Sequence, residues 1–184
     1  MSTPSSSARR FEFIAGARPL DFINTVSWGD GGEERLHDYG DLRAWCRAAG
    51  LAPGKGGDER VFKKALKLRS ALHAIFLAHA QGRRRENDVD AFLAPALRHV
   101  TVRRGKWALR DRSHPEAALR WLAWEAANLL TGDVIASVRC CSNDRCLWLF
   151  VDQSRRHNRR WCDMQVCGSR AKARAYYARR RSAR

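Results

Sequence analysis

The chain has no long apolar run. Its apolar runs are short and interrupted: Leu147 to Val151, for example, is far too short against the roughly 20 residues that a membrane-spanning helix needs. The opening residues, MSTPSSSARR, offer no apolar stretch of the kind a secretory leader requires. We therefore expect an intracellular, cytoplasmic protein with no membrane partner. In a reducing compartment its six cysteines do not form a disulfide framework. Catalytic signatures are missing too: there is no nucleophile elbow, paired-carboxylate motif, HExxH or cofactor fingerprint. The six histidines show no ligand spacing. Pro53-Gly54-Lys55-Gly56-Gly57 is glycine-rich but lacks the spacing and hydroxyl of a phosphate loop. These absences predict a protein that is not an enzyme.

Acidic residues are also scarce. Nineteen Asp and Glu face 35 Lys and Arg, a net charge of +16, which favours a polyanionic partner and nucleic acid first. Genome composition can inflate arginine, but it does not explain placement. Residues 139–184 carry 13 basic and 3 acidic side chains, whereas the preceding 138 carry 22 and 16. A quarter of the chain holds most of the excess, which reads as a specialised basic end.

With 45% hydrophobic residues a packed core is possible. Residues 1–10 read as a disordered tail. Phe11 to Ile14 alternates like a strand, and Leu20 to Val26 is a short helix or strand. A helix is expected from Asp41 to about Ala49, with Leu42, Trp45 and Cys46 inward. The clearest helix runs from about Asp58 to Gln81, its apolar face formed by Val61, Ala65, Leu68, Leu72, Ile75, Phe76 and His79. A shorter helix is expected over 86–94. Val100 to Arg103 and Lys106 to Arg110 flank Arg104-Gly105 as a β-hairpin. A further helix starts near Pro115 and ends near Gly132. After Asp133 the texture becomes Cys- and Arg-dense, placing a module boundary near Ser137.

Five of the six cysteines lie between 140 and 167. Cys141-x4-Cys146 and Cys162-x4-Cys167, separated by fifteen residues, have the arrangement of a structural Zn²⁺ site, because a tetrahedral ion takes two thiolates from each of two tight turns. Cys140 is an alternative first ligand, with spacing symmetry favouring Cys141, and an iron–sulfur cluster is a minor alternative. Four thiolates close the site and leave no position for catalytic water. A 46-residue module needs such a staple. Leu147 to Val151 and Arg159 to Trp161 are expected as hairpin strands, pinned by Asp152 and Ser154 and packed by Trp148 and Trp161. Residues from Gly168 onward are Ala- and Arg-rich and predict a basic helix. Arg155, Arg156, Arg159, Arg160, Arg170, Lys172 and Arg174 are the candidate DNA contacts, most of them to phosphates. Cys46 is expected in the core.

These same residues resemble a known family. Cys141-x4-Cys146, Phe150-Val151-Asp152-Gln153-Ser154, Arg159-Arg160-Trp161-Cys162-Asp163-Met164 and Cys167-Gly168-Ser169-Arg170-Ala171-Lys172 are similar to the CGNR-type zinc finger, with Ser169 in place of the name-giving Asn. Pro19-Leu20-Asp21-Phe22-Ile23-Asn24-Thr25 resembles the LDFxNT signature of the ABATE domain, and Leu68-Arg69-Ser70-Ala71-Leu72 fits its LRxAL helix. The resemblance implies a bacterial, stress-linked transcription regulator of α+β class. Its mainly helical front domain, residues 11–137, with a small β-hairpin, would sense a small ligand. Residues 138–184 would form a treble-clef-like finger: zinc knuckle, hairpin, basic helix. Asn24 and Arg69 are the polar candidates for a ligand pocket, although Asp21 could instead neutralise Arg69. RNA or a protein partner is the alternative target. One basic helix binds weakly alone, so a homodimer is expected.

Overall fold

The computed structural model describes residues 11–29, 32–83 and 94–182; the expected tail over 1–10 and nearly all of the expected helix over 86–94 lie outside them. Residues 11–14, expected as a strand, are irregular. Phe11 and Ala15 are buried, and Val151 N–H donates to the Ala15 carbonyl (2.8 Å). Gly16, at φ +79°, then turns the chain away.

Helix α1 (Arg18–Ile23) begins with Pro19 in its first turn, where the missing N–H costs nothing. Helix α2 (Tyr39–Ala48) starts earlier than Asp41, because Asp38 is its cap. The Asp38 carboxylate accepts from Asp41 N–H, and Asp41 reaches back to His37 N–H, each at 2.8 Å. Helix α3 (Glu59–Ala80) is capped by Asp58, which accepts from the Arg60 and Val61 amides. Six of the seven residues expected on its apolar face are buried; His79 alone of that set is exposed, and the buried face widens to take in Phe62, Arg69 and His73.

Strands β1 (Val100–Arg103) and β2 (Lys106–Leu109) form the expected antiparallel hairpin. Both turn residues, Arg104 and Gly105, have positive φ, as a type I′ turn demands. Helix α4 (Ala117–Thr131) buries Leu119, Leu122, Ala123 and Ala126 and stops at Gly132. A 3₁₀ turn (Asp133–Ser137) leads into β3 (Val138–Cys140), which pairs antiparallel with β4 (Leu149–Val151). A π turn (Met164–Gly168) leads into α5 (Ser169–Ser182). Among the described residues no helix is long and apolar enough to cross a membrane.

The fold is therefore α+β: a helical front domain with one small hairpin, then a cysteine-built finger. One apolar cluster unites them, with Phe22, Trp45, Leu72, Phe76 and Leu122 from the front and Leu149, Phe150 and Val151 from β4. The finger's hairpin is also not the expected one. Leu149–Val151 pairs with the strand before the first cysteine pair, not with residues 159–161. The reason is the buried ladder: all three residues of β4 and Val138 of β3 are needed to close the core over α3. Residues 159–161 are instead held by irregular bonds such as Ser142 N–H to the Arg160 carbonyl (2.8 Å).

Candidate metal centre and nucleic-acid interface

The loop between β3 and β4 is a tight knuckle. Asn143 is its keystone, and sequence reasoning missed it. Its carbonyl accepts the amides of Cys146 and Leu147, the latter at φ +55°. Its side chain is buried, donating Nδ2–H to Cys167 Sγ (3.4 Å) and accepting from Arg174 Nη2 (3.0 Å). An Asn between paired cysteines is a turn signal, but only the folded chain shows that its amide crosses to the second pair.

That second pair sits on the π turn. Asp163 caps it, accepting Val166 N–H with its side chain and the Cys167 and Gly168 amides with its carbonyl. The result brings the sulfurs of Cys141, Cys146, Cys162 and Cys167 within 4.8 Å of one another, all four residues buried. Cys146–Cys162 and Cys162–Cys167 are each 3.6 Å apart. A tetrahedron with Zn–S bonds of 2.3 Å has edges of about 3.8 Å, so the donor set fits such an ion.

The electrostatics agree. Without an ion Cys141, Cys146 and Cys162 compete for protons. Cys146 and Cys162 both donate to Cys141, which pulls that thiol well down, and the same bonds push Cys146 and Cys162 up. A divalent cation relieves this frustration by accepting all four as thiolates. Cys140 lies outside the cluster, its thiol raised to about 11 by burial. Cys46 is in the core and raised to about 12 for the same reason.

The candidate DNA contacts separate into two kinds. Arg159 is turned inward: Nε donates to the Trp161 carbonyl (2.9 Å), Nη2 to the Cys162 carbonyl, and the guanidinium lies over Phe150. Arg174 is held by Asn143 and by Asp144 (3.6 Å). Both brace the metal centre. Arg155, Arg156, Arg160, Arg170 and Lys172 are exposed and form no ion pair among the described residues. Asp152 pins the intervening loop, accepting from the Ser154 and Arg159 amides (2.9 Å each). Trp148 is buried and donates to the Val26 carbonyl, while Trp161 is half-buried beneath Arg160.

Asn24 and Arg69 line neither of the two cavities described. Asn24 is fully engaged with β4, its Nδ2 donating to the Leu149 carbonyl (2.8 Å) and its Oδ1 accepting Leu149 N–H (3.0 Å). Arg69 is neutralised by Glu34 (2.5 and 2.8 Å) and donates to Thr25 Oγ1. Asp21, the expected partner, instead accepts Ala15 N–H, and burial raises its carboxyl to about 6. Burial would raise Glu34 as well, but the Arg69 guanidinium and the amides of Leu36 and Arg35 together outweigh it and hold the carboxyl below its usual value.

A second link between front and finger was also invisible in the sequence. Trp28 N–H donates to the Cys146 carbonyl (3.0 Å) and its ring stacks on His73 at 3.8 Å. Gly29 lies so close to the knuckle that a Cβ would sit 2.0 Å from the Asp144 carbonyl oxygen.

Two family models match this chain. That of the ABATE family, described as "putative stress-induced transcription regulator", matches residues 16–133. That of the CGNR zinc finger matches residues 137–180. No curated protein matches.

Proposed function

We propose that this chain, which belongs to the ABATE family and carries a CGNR zinc finger, is a DNA-binding transcription regulator acting in the cytoplasm at the nucleoid. Cys141, Cys146, Cys162 and Cys167 hold a structural Zn²⁺. When bound, the ion supplies the crosslink that fixes the knuckle to the start of α5. Arg159, Arg174 and Asn143 brace that junction. The role is non-enzymatic.

The observation that carries this reading is α5. It leaves the metal centre with nearly every side chain exposed and six Arg or Lys between 170 and 181. A basic helix held away from the body by a rigid root can enter a major groove. Arg170 and Lys172 on α5, with Arg155, Arg156 and Arg160 on the preceding loop, are the free cations for phosphates and base edges. One such helix buries little surface, so we infer that operators are bound by a homodimer. Sedimentation showing only monomer at micromolar concentration, with and without DNA, counts against that.

Tyr176 and Tyr177 favour a second reading. Both rings are exposed on the basic helix, as a platform for single-stranded RNA bases would be. Selection of fragmented genomic DNA on the zinc-loaded protein, at near-physiological salt, separates the two. Enrichment of a few fragments, lost in Cys162→Ser, is the expected result. Flat enrichment with affinity that collapses as salt rises overturns sequence-specific recognition, and the same selection with RNA then decides the second reading.

A further inference from the structure

The front domain contains a cleft that the finger does not use. It has a volume of about 230 Å³ and lies between the start of α4, strand β2 and the turn after α2. Its walls include the indoles of Trp107 and Trp121 and the side chains of Leu51 and Leu109. Its only charged lining residues are Arg18 and Arg112, and no acid lines it among the described residues.

The wall is built in advance. Glu125, half-buried beneath α1, accepts Arg18 Nη1 (2.8 Å) and Trp121 Nε1 (2.9 Å) on the same oxygen, Oε1. One carboxylate thus fixes an arginine from α1 and an indole from α4. Trp124 lies behind them, its ring 4.5 Å from Trp121 and 5.6 Å from Trp107. Glu125 neutralises Arg18. Arg112 is exposed and has no ion-pair partner among the described residues, so it gives the cleft lining an uncompensated positive charge.

Aromatic walls with one free guanidinium select a flat apolar body bearing a single negative charge. A cavity of about 150 Å³ holds benzene, so this one takes one ring with a carboxylate substituent. We propose that the cleft is a binding site for a small aromatic monocarboxylate, its ring against Trp107 and Trp121 and its carboxylate on Arg112. Calling that ligand an effector rests on the regulator reading above; the binding does not. Helix α1 runs from Arg18 at the cleft to Asn24, which holds β4 of the finger, so occupancy has a short physical route to the metal centre.

The test uses the full-length, zinc-loaded protein and benzoate, with benzamide as the neutral isostere. Calorimetry reads affinity, and the indole N–H resonances read location. Benzoate is expected to bind saturably and shift the Trp107 and Trp121 indoles, with benzamide about tenfold weaker or more. Arg112→Gln should weaken benzoate by about tenfold and leave benzamide unchanged; Trp107→Ala should weaken both. Both side chains are exposed, so an unchanged melting temperature certifies that the variants fold. No saturable shift up to about 10 mM benzoate, or binding that neither variant alters, overturns the proposal. Benzoate binding in a protein without DNA preference keeps the cleft and removes the regulator. Selective DNA binding without benzoate binding does the reverse.

Discussion

Arg69 is only 5% exposed, and burying a guanidinium there is tolerable only because Glu34 and Thr25 surround it. Removing one partner of such a pair leaves the other charge desolvated. Glu34→Gln should therefore cost about 3 kcal/mol in urea denaturation, whereas the paired replacement Glu34→Leu with Arg69→Met should cost less than the single change. His73 gives a pH signature. Burial lowers its pKa from 6.5 to about 4 against the opposing pull of the Leu147 backbone. Between those values the folded chain binds fewer protons than the unfolded one, so the stability is complete above 6.5 and lost as pH falls toward 4. Comparing the wild type with His73→Gln, the stability gap should shrink by about 2 kcal/mol from about pH 7 to about pH 5. Acid protonation of the cysteines affects both proteins and cancels in the difference.

At the scale of elements, α5 and β4 are opposites. Every residue of β4 is buried, and each fully buried Leu, Phe or Val contributes about 1.5–3 kcal/mol. Helix α5 packs mainly on the π turn at its own root, and Arg174 is the one cation on it tied to the knuckle. Its sequence spends no apolar residues on a packing face, which suits an element whose partner is another molecule. Replacing Arg170 or Lys172 with Gln should each lower the slope of log affinity against log salt by about 1 with little change in stability. Replacing Arg159 should instead destabilise the protein, because its guanidinium holds the Trp161 and Cys162 carbonyls. The seven cations nominated from charge and spacing look alike in the sequence. What separates them is which carbonyls and carboxylates the fold brings near, and that depends on residues such as Asn143 far away along the chain.

At the scale of the whole molecule, one apolar cluster runs through front domain and finger. The Trp28–Cys146 and Asn24–Leu149 bonds cross the boundary that composition suggests at Ser137. Zinc removal should then not melt a separate small unit. A chelator, or Cys162→Ser, should lower a single cooperative thermal transition of the entire chain, and calorimetry resolving two independent transitions would refute that coupling. A 46-residue module can bury little core of its own. The consequence is that the finger borrows one from α3 and α1.

Chemistry carried by local spacing was legible in the sequence alone: the two cysteine pairs, the Arg104-Gly105 turn, the start of α3 near Asp58, its amphipathic face and the basic final helix. Each depends on residues within about one turn of one another, where backbone geometry leaves few choices. Decisions between distant segments belonged to the tertiary structure. β4 chose β3 over residues 159–161, and Arg69 found Glu34 rather than Asp21. Asn24 became a clasp on Leu149. The physical reason is common to all three. A buried polar group or strand edge must be satisfied by whatever the packing of the core delivers to it, and that packing is a property of the whole chain.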